Sequence, residues 1–313
     1  MPLSLSYFTE AAKEPFPWRN ILLATLIPAL FGVACAVFIA PPMIFSDTSD
    51  GLSAWFNFVE GGTWNSKSIP DPDSLERNIE EAVTWWAPGQ YIPLGLLHLA
   101  GLRLGTACII ISTAGLILFG FGLACLSREM GLPRCNLTWI TLTACCSHHL
   151  LVEFGHFNGG ELAQITIWPW AAYIAWKFRQ RTIALILALP PVLILGAFGK
   201  HSFAIYALAI LSFLWLERVR ESTHWHSPLK TLANLWLASY PILIVGILFL
   251  LGRHALIDTA LTPGDAGVVD REIYESFGYS FLGPVLGLSG VDKALGYFSY
   301  HFLKCVGRIY GRT

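Results

Sequence analysis

The feature that most constrains this chain is a succession of apolar runs about twenty residues long, the first from Ile21 to Ala40. About 20 apolar residues in a helix cover the roughly 30 Å of a bilayer's hydrocarbon core. Charged residues make up only 13% of the 313, and hydrophobic residues 54%. A soluble domain carries about 25% charged residues, so a soluble enzyme is excluded. The first run is too long for a signal-peptide core and ends at Pro41-Pro42, which predicts a retained signal anchor. The seven cysteines lie in or beside apolar runs and read as small buried hydrophobes, not as a disulfide framework.

Charge decides how the runs cross. A first helix is predicted over 20–42, and later spans near 104–126, 136–154, 161–176, 182–199, 202–216, 232–251 and 280–303, the last with Asp292 and Lys293 inside it. Under this count Lys13, Arg19, Arg128, Arg134, Lys177, Arg179, Arg181, Arg218, Arg220, Lys230, Lys304, Arg308 and Arg312 share one side. The acidic residues of 43–90 and 252–279 share the other. Basic loops stay cytoplasmic, which puts the N-terminus in the cytoplasm. Counting 91–102 as a span would scatter the bases, so that stretch is expected to lie on the outer face. The expectation is an all-α multi-pass transmembrane bundle of about eight spans in the plasma (inner) membrane. It forms a single transmembrane domain over 1–313, with 43–103 as an outer loop and 252–279 as a flexible outer loop. Membrane lipids are expected partners, nucleic acid is not, and a membrane-protein partner would follow if the chain is part of an assembly.

The first outer loop carries most of the chemistry. Leu52, Trp55, Phe56 and Val59 recur at helical spacing, with Ser49 or Asp50 where an N-cap belongs and Gly61-Gly62 as the stop. After the turn 69–73, residues Ser74 to Trp86 read as a second interfacial helix, ended by Pro88-Gly89. Asp47 and Asp50 are three apart, and on one helical turn both carboxylates face one way. Either could act as general base on an acceptor hydroxyl, or help hold a divalent cation, magnesium or manganese. They could equally be two solvated loop acids.

Two further sets stand out. His149, Glu153 and His156 fall on one face of a helix if the span continues through them, followed by Asn158 and Glu161. Ionisable groups at membrane depth are costly and usually functional. A metal site, a polar cavity wall and ordinary hydrogen bonding to neighbouring helices are the readings open, and the cavity wall is preferred. Lys200-His201 and Arg253-His254 lie at outer ends of spans, against the basic-inside trend, and Arg103 ends the interfacial stretch. Binding a lipid-borne phosphate explains such cations; snorkelling to headgroups is the plainer account. No Walker loop, dinucleotide fingerprint or Gly-x-Ser-x-Gly elbow is present.

Three stretches together resemble the GT-C superfamily of integral-membrane glycosyltransferases. They are Ser46-Asp47-Thr48-Ser49-Asp50-Gly51 after the first span, Glu60-Gly61-Gly62, and Trp86-Ala87-Pro88-Gly89-Gln90-Tyr91-Ile92-Pro93-Leu94. Glu153 to Asn158 is similar to a His-Phe motif on the second outer loop of glucosyltransferases that use lipid-linked sugars. The resemblance covers about residues 20–180. It implies an inverting transfer of sugar from a polyprenyl-phosphate or -diphosphate donor to a hydroxyl of a glycan, lipid or protein. It makes Asp50, or Asp47, the catalytic aspartate after the first span, acting as general base, and makes His156 and Asn158 face the substrate. Family members often have more spans and a soluble outer domain. A transporter or flippase of a lipid-linked substrate, or a non-catalytic membrane subunit, is the alternative; no internal repeat supports the former.

Overall fold

A computed structural model describes residues 15–82, 87–222 and 228–256. The expected span at 280–303, most of the 252–279 loop, Lys13 and the tryptophans at 85 and 86 lie outside the described residues.

Helix α1 (Trp18–Phe38) follows Pro17 and stops before Pro41-Pro42. Its buried face is mostly small: Ala24, Thr25, Ala29, Gly32 and Ala36. Small residues let membrane helices approach closely without a solvent-driven hydrophobic force. Thr25 accordingly packs on Gly120 of α4 (Leu104–Glu129), and the Phe154 ring packs on Gly32. The large side chains Leu30, Phe31 and Phe38 point outward, 61–85% exposed. That inversion fits an apolar surrounding rather than water. Four helical stretches are long and apolar enough to cross a membrane: Trp18–Phe38, Leu104–Glu129, Thr182–Gly199 and Thr231–Arg253. The chain is a mostly helical membrane protein; four such stretches, not eight, meet that measure among the described residues.

The third expected span, 136–154, is not one helix. Helix α5 (Arg134–Cys145) has 12 residues, about 18 Å. A one-turn helix α6 (His148–Leu151), a 3-10 turn (Val152–Phe154) and a two-residue strand β4 (His156–Phe157) follow. His149, Glu153 and His156 therefore do not share a helix face. Helices α7 (Gly159–Lys177), α8 (Thr182–Gly199), α9 (Phe203–Ser222) and α10 (Pro228–Leu256) complete the described part. Leu185, Leu189, Leu193, Phe203, Leu214 and Val245 are the buried side chains between them. The described residues form one unit except Ser147–His149, which group apart.

The first loop departs from expectation in two places. Helix α2 (Ser46–Val59) begins at Ser46, with Phe45 as N-cap, so neither Ser49 nor Asp50 caps it. Its start is set by a strand: β1 (Met43–Ile44) pairs in parallel with β4, and the Phe45 amide donates to the Phe157 carbonyl at 3.0 Å. The expected stop holds. Gly61 takes φ +99°, and the Gly62 amide donates to Asn57 O at 2.8 Å.

The second interfacial helix, expected over 74–86, is absent from its described part. Ser74–Ala82 is strand β3, antiparallel to β2 (Ser66–Asp71), with Ile69 opposite Ile79. Turn chemistry outweighs helix propensity here. The Asp71 carboxylate accepts the Asp73 amide at 2.9 Å and the Arg77 Nε–H at 2.7 Å, which closes the reversal. Glu80 is held by the Thr63 amide at 3.1 Å and by the Thr63 hydroxyl. Residues 92–99 form helix α3 (Ile92–Leu99), about 12 Å long and too short to cross, as the charge pattern required. Leu94 is fully buried and Leu97 packs on the core.

Candidate functional site

The β1–β4 pair is the structural key to one end of the bundle. It ties the chain leaving α1 to the chain entering α7, more than a hundred residues later. The Thr48 hydroxyl reinforces the tie by accepting the Gly159 amide at 3.2 Å. The turn 88–91 fills the third side. Tyr91 is buried with its hydroxyl on Asn65 Oδ1, and its ring lies against Gly51 of α2. Gly89 leaves room for the Phe198 carbonyl of α8, 2.6 Å from where a Cβ would stand. Asp47, Glu153, Asn158, Glu161 and Lys200 are thereby collected at one end.

Asp47 is half-buried in the first turn of α2. Burial raises its carboxyl above the usual range and the Glu161 charge adds to this. The Ser46 hydroxyl, donating to Oδ1 at 3.2 Å, and the Lys200 charge oppose it. Asp50, one turn on, is exposed. Of the two acids the sequence singles out, Asp47 is the one coupled to Lys200. Lys200 follows the end of α8 and forms an ion pair with Glu161 in the first turn of α7. His201, half-buried, occupies the turn from α8 to α9, and the Ser202 hydroxyl donates to Gln164 Oε1 at 3.0 Å.

Glu153 is 2% exposed in the turn before β4, outside the spanning segments but packed on them. The Ser112 hydroxyl of α4 donates to its carbonyl at 3.2 Å, and the adjoining Phe154 ring lies on Gly32 of α1. Burial pushes its carboxyl up to about 8, although Oε2 accepts the Asn158 amide at 2.7 Å. Its burial favours the protonated, neutral form. His156 is exposed because strand alternation turns Phe157, not His156, into the core.

The remaining expected residues are spread differently. Arg253 is half-buried near the end of α10, where Gly252 packs on Ile194 of α8, about 9 Å along that helix from Lys200. His254 follows it, and its side chain lies outside the described residues. Arg103 is exposed before the first turn of α4, and no described ion pair or hydrogen bond links it to Asp47 or Lys200. Among the described residues no three His, Cys, Asp or Glu side chains gather closely enough to hold a metal ion.

Sequence reasoning passed over Thr48 and Gln90. Thr48 carried no signal beyond its place between two acids. The signal for Gln90 is Gly159-Gly160, a pair of missing side chains at a helix start, which marks something approaching closely.

The far end is basic. The Trp176 indole donates to Glu129 O at 3.1 Å, and Arg218 Nη1 donates to Arg179 O at 2.6 Å. Arg128, Lys177, Arg179 and Arg218 are thus brought together. No family model matches this chain, and no curated protein matches it.

Proposed function

We propose that the protein transfers a sugar from a polyprenyl-phosphate or -diphosphate carrier to a hydroxyl acceptor, with Asp47 as general base. The observation that carries this reading is Asp47 itself: a half-buried carboxylate just past the first span, electrostatically coupled to Lys200. The resemblance of residues 46–51, 86–94 and 153–158 to GT-C glycosyltransferases supports it. So does the gathering of bases at the other end, which by the basic-inside rule faces this site outward.

In the reaction the acceptor oxygen attacks the anomeric carbon, forming a new C–O bond as the bond to the carrier phosphate breaks. The proton of the acceptor hydroxyl passes to the Asp47 carboxylate. The leaving phosphate takes the electron pair, and the anomeric centre inverts. A carboxylate with a raised pKa is a stronger base than a solvated one. Lys200, with His201 and Arg253, offsets the charge growing on the phosphate. His156 and Asn158 face the approach of the sugar, and the buried Glu153 holds the Asn158 backbone amide behind them. Asp50 is an outer-rim residue in this scheme, since it is exposed.

The test compares Asp47→Asn with Asp50→Asn in vesicles supplied with radiolabelled lipid-linked sugars. Asp47→Asn is expected to abolish turnover while carrier binding persists, and Asp50→Asn to retain most of it. Carrier movement across the vesicle that is untouched by Asp47→Asn would sink the transferase reading in favour of a transporter.

A further inference from the structure

Two buried polar atoms beside the start of α7 take part in none of the contacts above. Gln90 is 4% exposed, and its Nε2 has no partner among the described residues. Asn158 Oδ1 is buried and likewise without a partner. The two side chains meet at Gly160. A Cβ there would stand 2.7 Å from Gln90 Oε1 and 3.6 Å from Asn158 Oδ1. At Gly159 a Cβ would overlap the Gln90 carbonyl. The glycine pair clears space for an amide side chain against the first turn of a helix. A buried donor and a buried acceptor left open together are costly, and most such groups find a partner.

The chemistry of the pair selects its ligand. Nε2–H donates and Oδ1 accepts, and both groups are neutral. The phosphodiester linking sugar to carrier has no hydrogen to give Asn158. An ammonium has no lone pair for Gln90. A hydroxyl satisfies both at once, accepting from Gln90 and donating to Asn158. Glu153, which holds the Asn158 amide, and Thr48, which holds the Gly159 amide, fix the frame around the pair.

We propose that Gln90 and Asn158 together recognise one ring hydroxyl of the sugar on the lipid carrier, which makes Gln90 a specificity-determining residue. This rests on the glycosyl-transfer reading above. A site built to pair with a hydroxyl rejects an analogue that lacks it, because the buried groups are then stranded.

The experiment measures binding, so no acceptor is needed. The purified full chain in nanodiscs is titrated with undecaprenyl phosphate and with its glucose, galactose and mannose forms. The monodeoxy analogues of the preferred sugar follow. Wild type is expected to bind one monodeoxy analogue roughly 10- to 100-fold more weakly than the parent sugar. Gln90→Met, similar in length but without the amide, is expected to bind parent and analogue equally and to bind sugar-free undecaprenyl phosphate as wild type does. Asn158→Ala is expected to lose discrimination at the same hydroxyl, which keeps the test open if Gln90→Met fails to fold. Unchanged discrimination in a folded variant overturns the inference alone. A wild-type protein that binds no sugar form better than the bare carrier overturns both the inference and the transferase reading.

Discussion

Replacing Glu153 with glutamine isolates the energetics of the most deeply buried carboxyl at the site. Glu153 starts from an ordinary value of 4.5 in the unfolded chain and is pushed to about 8 in the fold, chiefly by burial. Between those values the folded protein holds a proton that the unfolded chain has released. Stability is therefore greatest at low pH and is lost as pH rises through this window, by about 1.4 kcal/mol per unit for this group. From about pH 5 to about pH 7.5 the loss is on the order of 3 kcal/mol, a large part of a domain's net stability. The glutamine in Glu153→Gln is uncharged throughout, and its Oε1 can accept the Asn158 amide that Glu153 holds at 2.7 Å. The variant is expected to match wild type near pH 5 and to exceed it increasingly above. Denaturant unfolding in mixed micelles, run at steps from about pH 5 to about pH 8, measures the difference between the two proteins. Other carboxylates titrate equally in both and cancel. Parallel curves would refute the account of Glu153 as a carboxyl kept neutral by its surroundings.

Two other substitutions probe how the site is held. Thr48→Val keeps the shape but strands the Gly159 amide, which now donates to the Thr48 hydroxyl at 3.2 Å. A loss of about 1–3 kcal/mol is expected in the same unfolding assay, and a loss under about 0.5 kcal/mol would mean the tie between α2 and α7 does not depend on it. Lys200→Met breaks a pair whose side chains are 25% and 45% exposed, so stability should change by less than about 1 kcal/mol. Because the Lys200 charge lowers the Asp47 carboxyl, its removal raises that carboxyl further. The rising limb of the transfer rate against pH should then move to higher pH, and an unmoved limb would separate Lys200 from Asp47.

Much of the membrane architecture was legible in the residues themselves. Bilayer thickness and the low charge of the apolar runs imposed helices α1, α4, α8 and α10, because nothing else of that length and composition satisfies its backbone in lipid. The Gly61-Gly62 stop was legible because a positive φ is a local demand. The short α3 was legible because charge sidedness excluded a crossing. The β2–β3 hairpin was not, since Leu75 and Ile79 mimic a helical repeat while the Asp71 turn and its pairing partners act across the chain. The joining of Met43–Ile44 to His156–Phe157 also lay beyond sequence reading. Two-residue strands carry no periodicity, and backbone hydrogen bonds between distant segments leave no mark on residue type. That same pairing, with Thr48 on Gly159, separates a half-buried Asp47 from an exposed Asp50, two acids that spacing alone leaves equivalent.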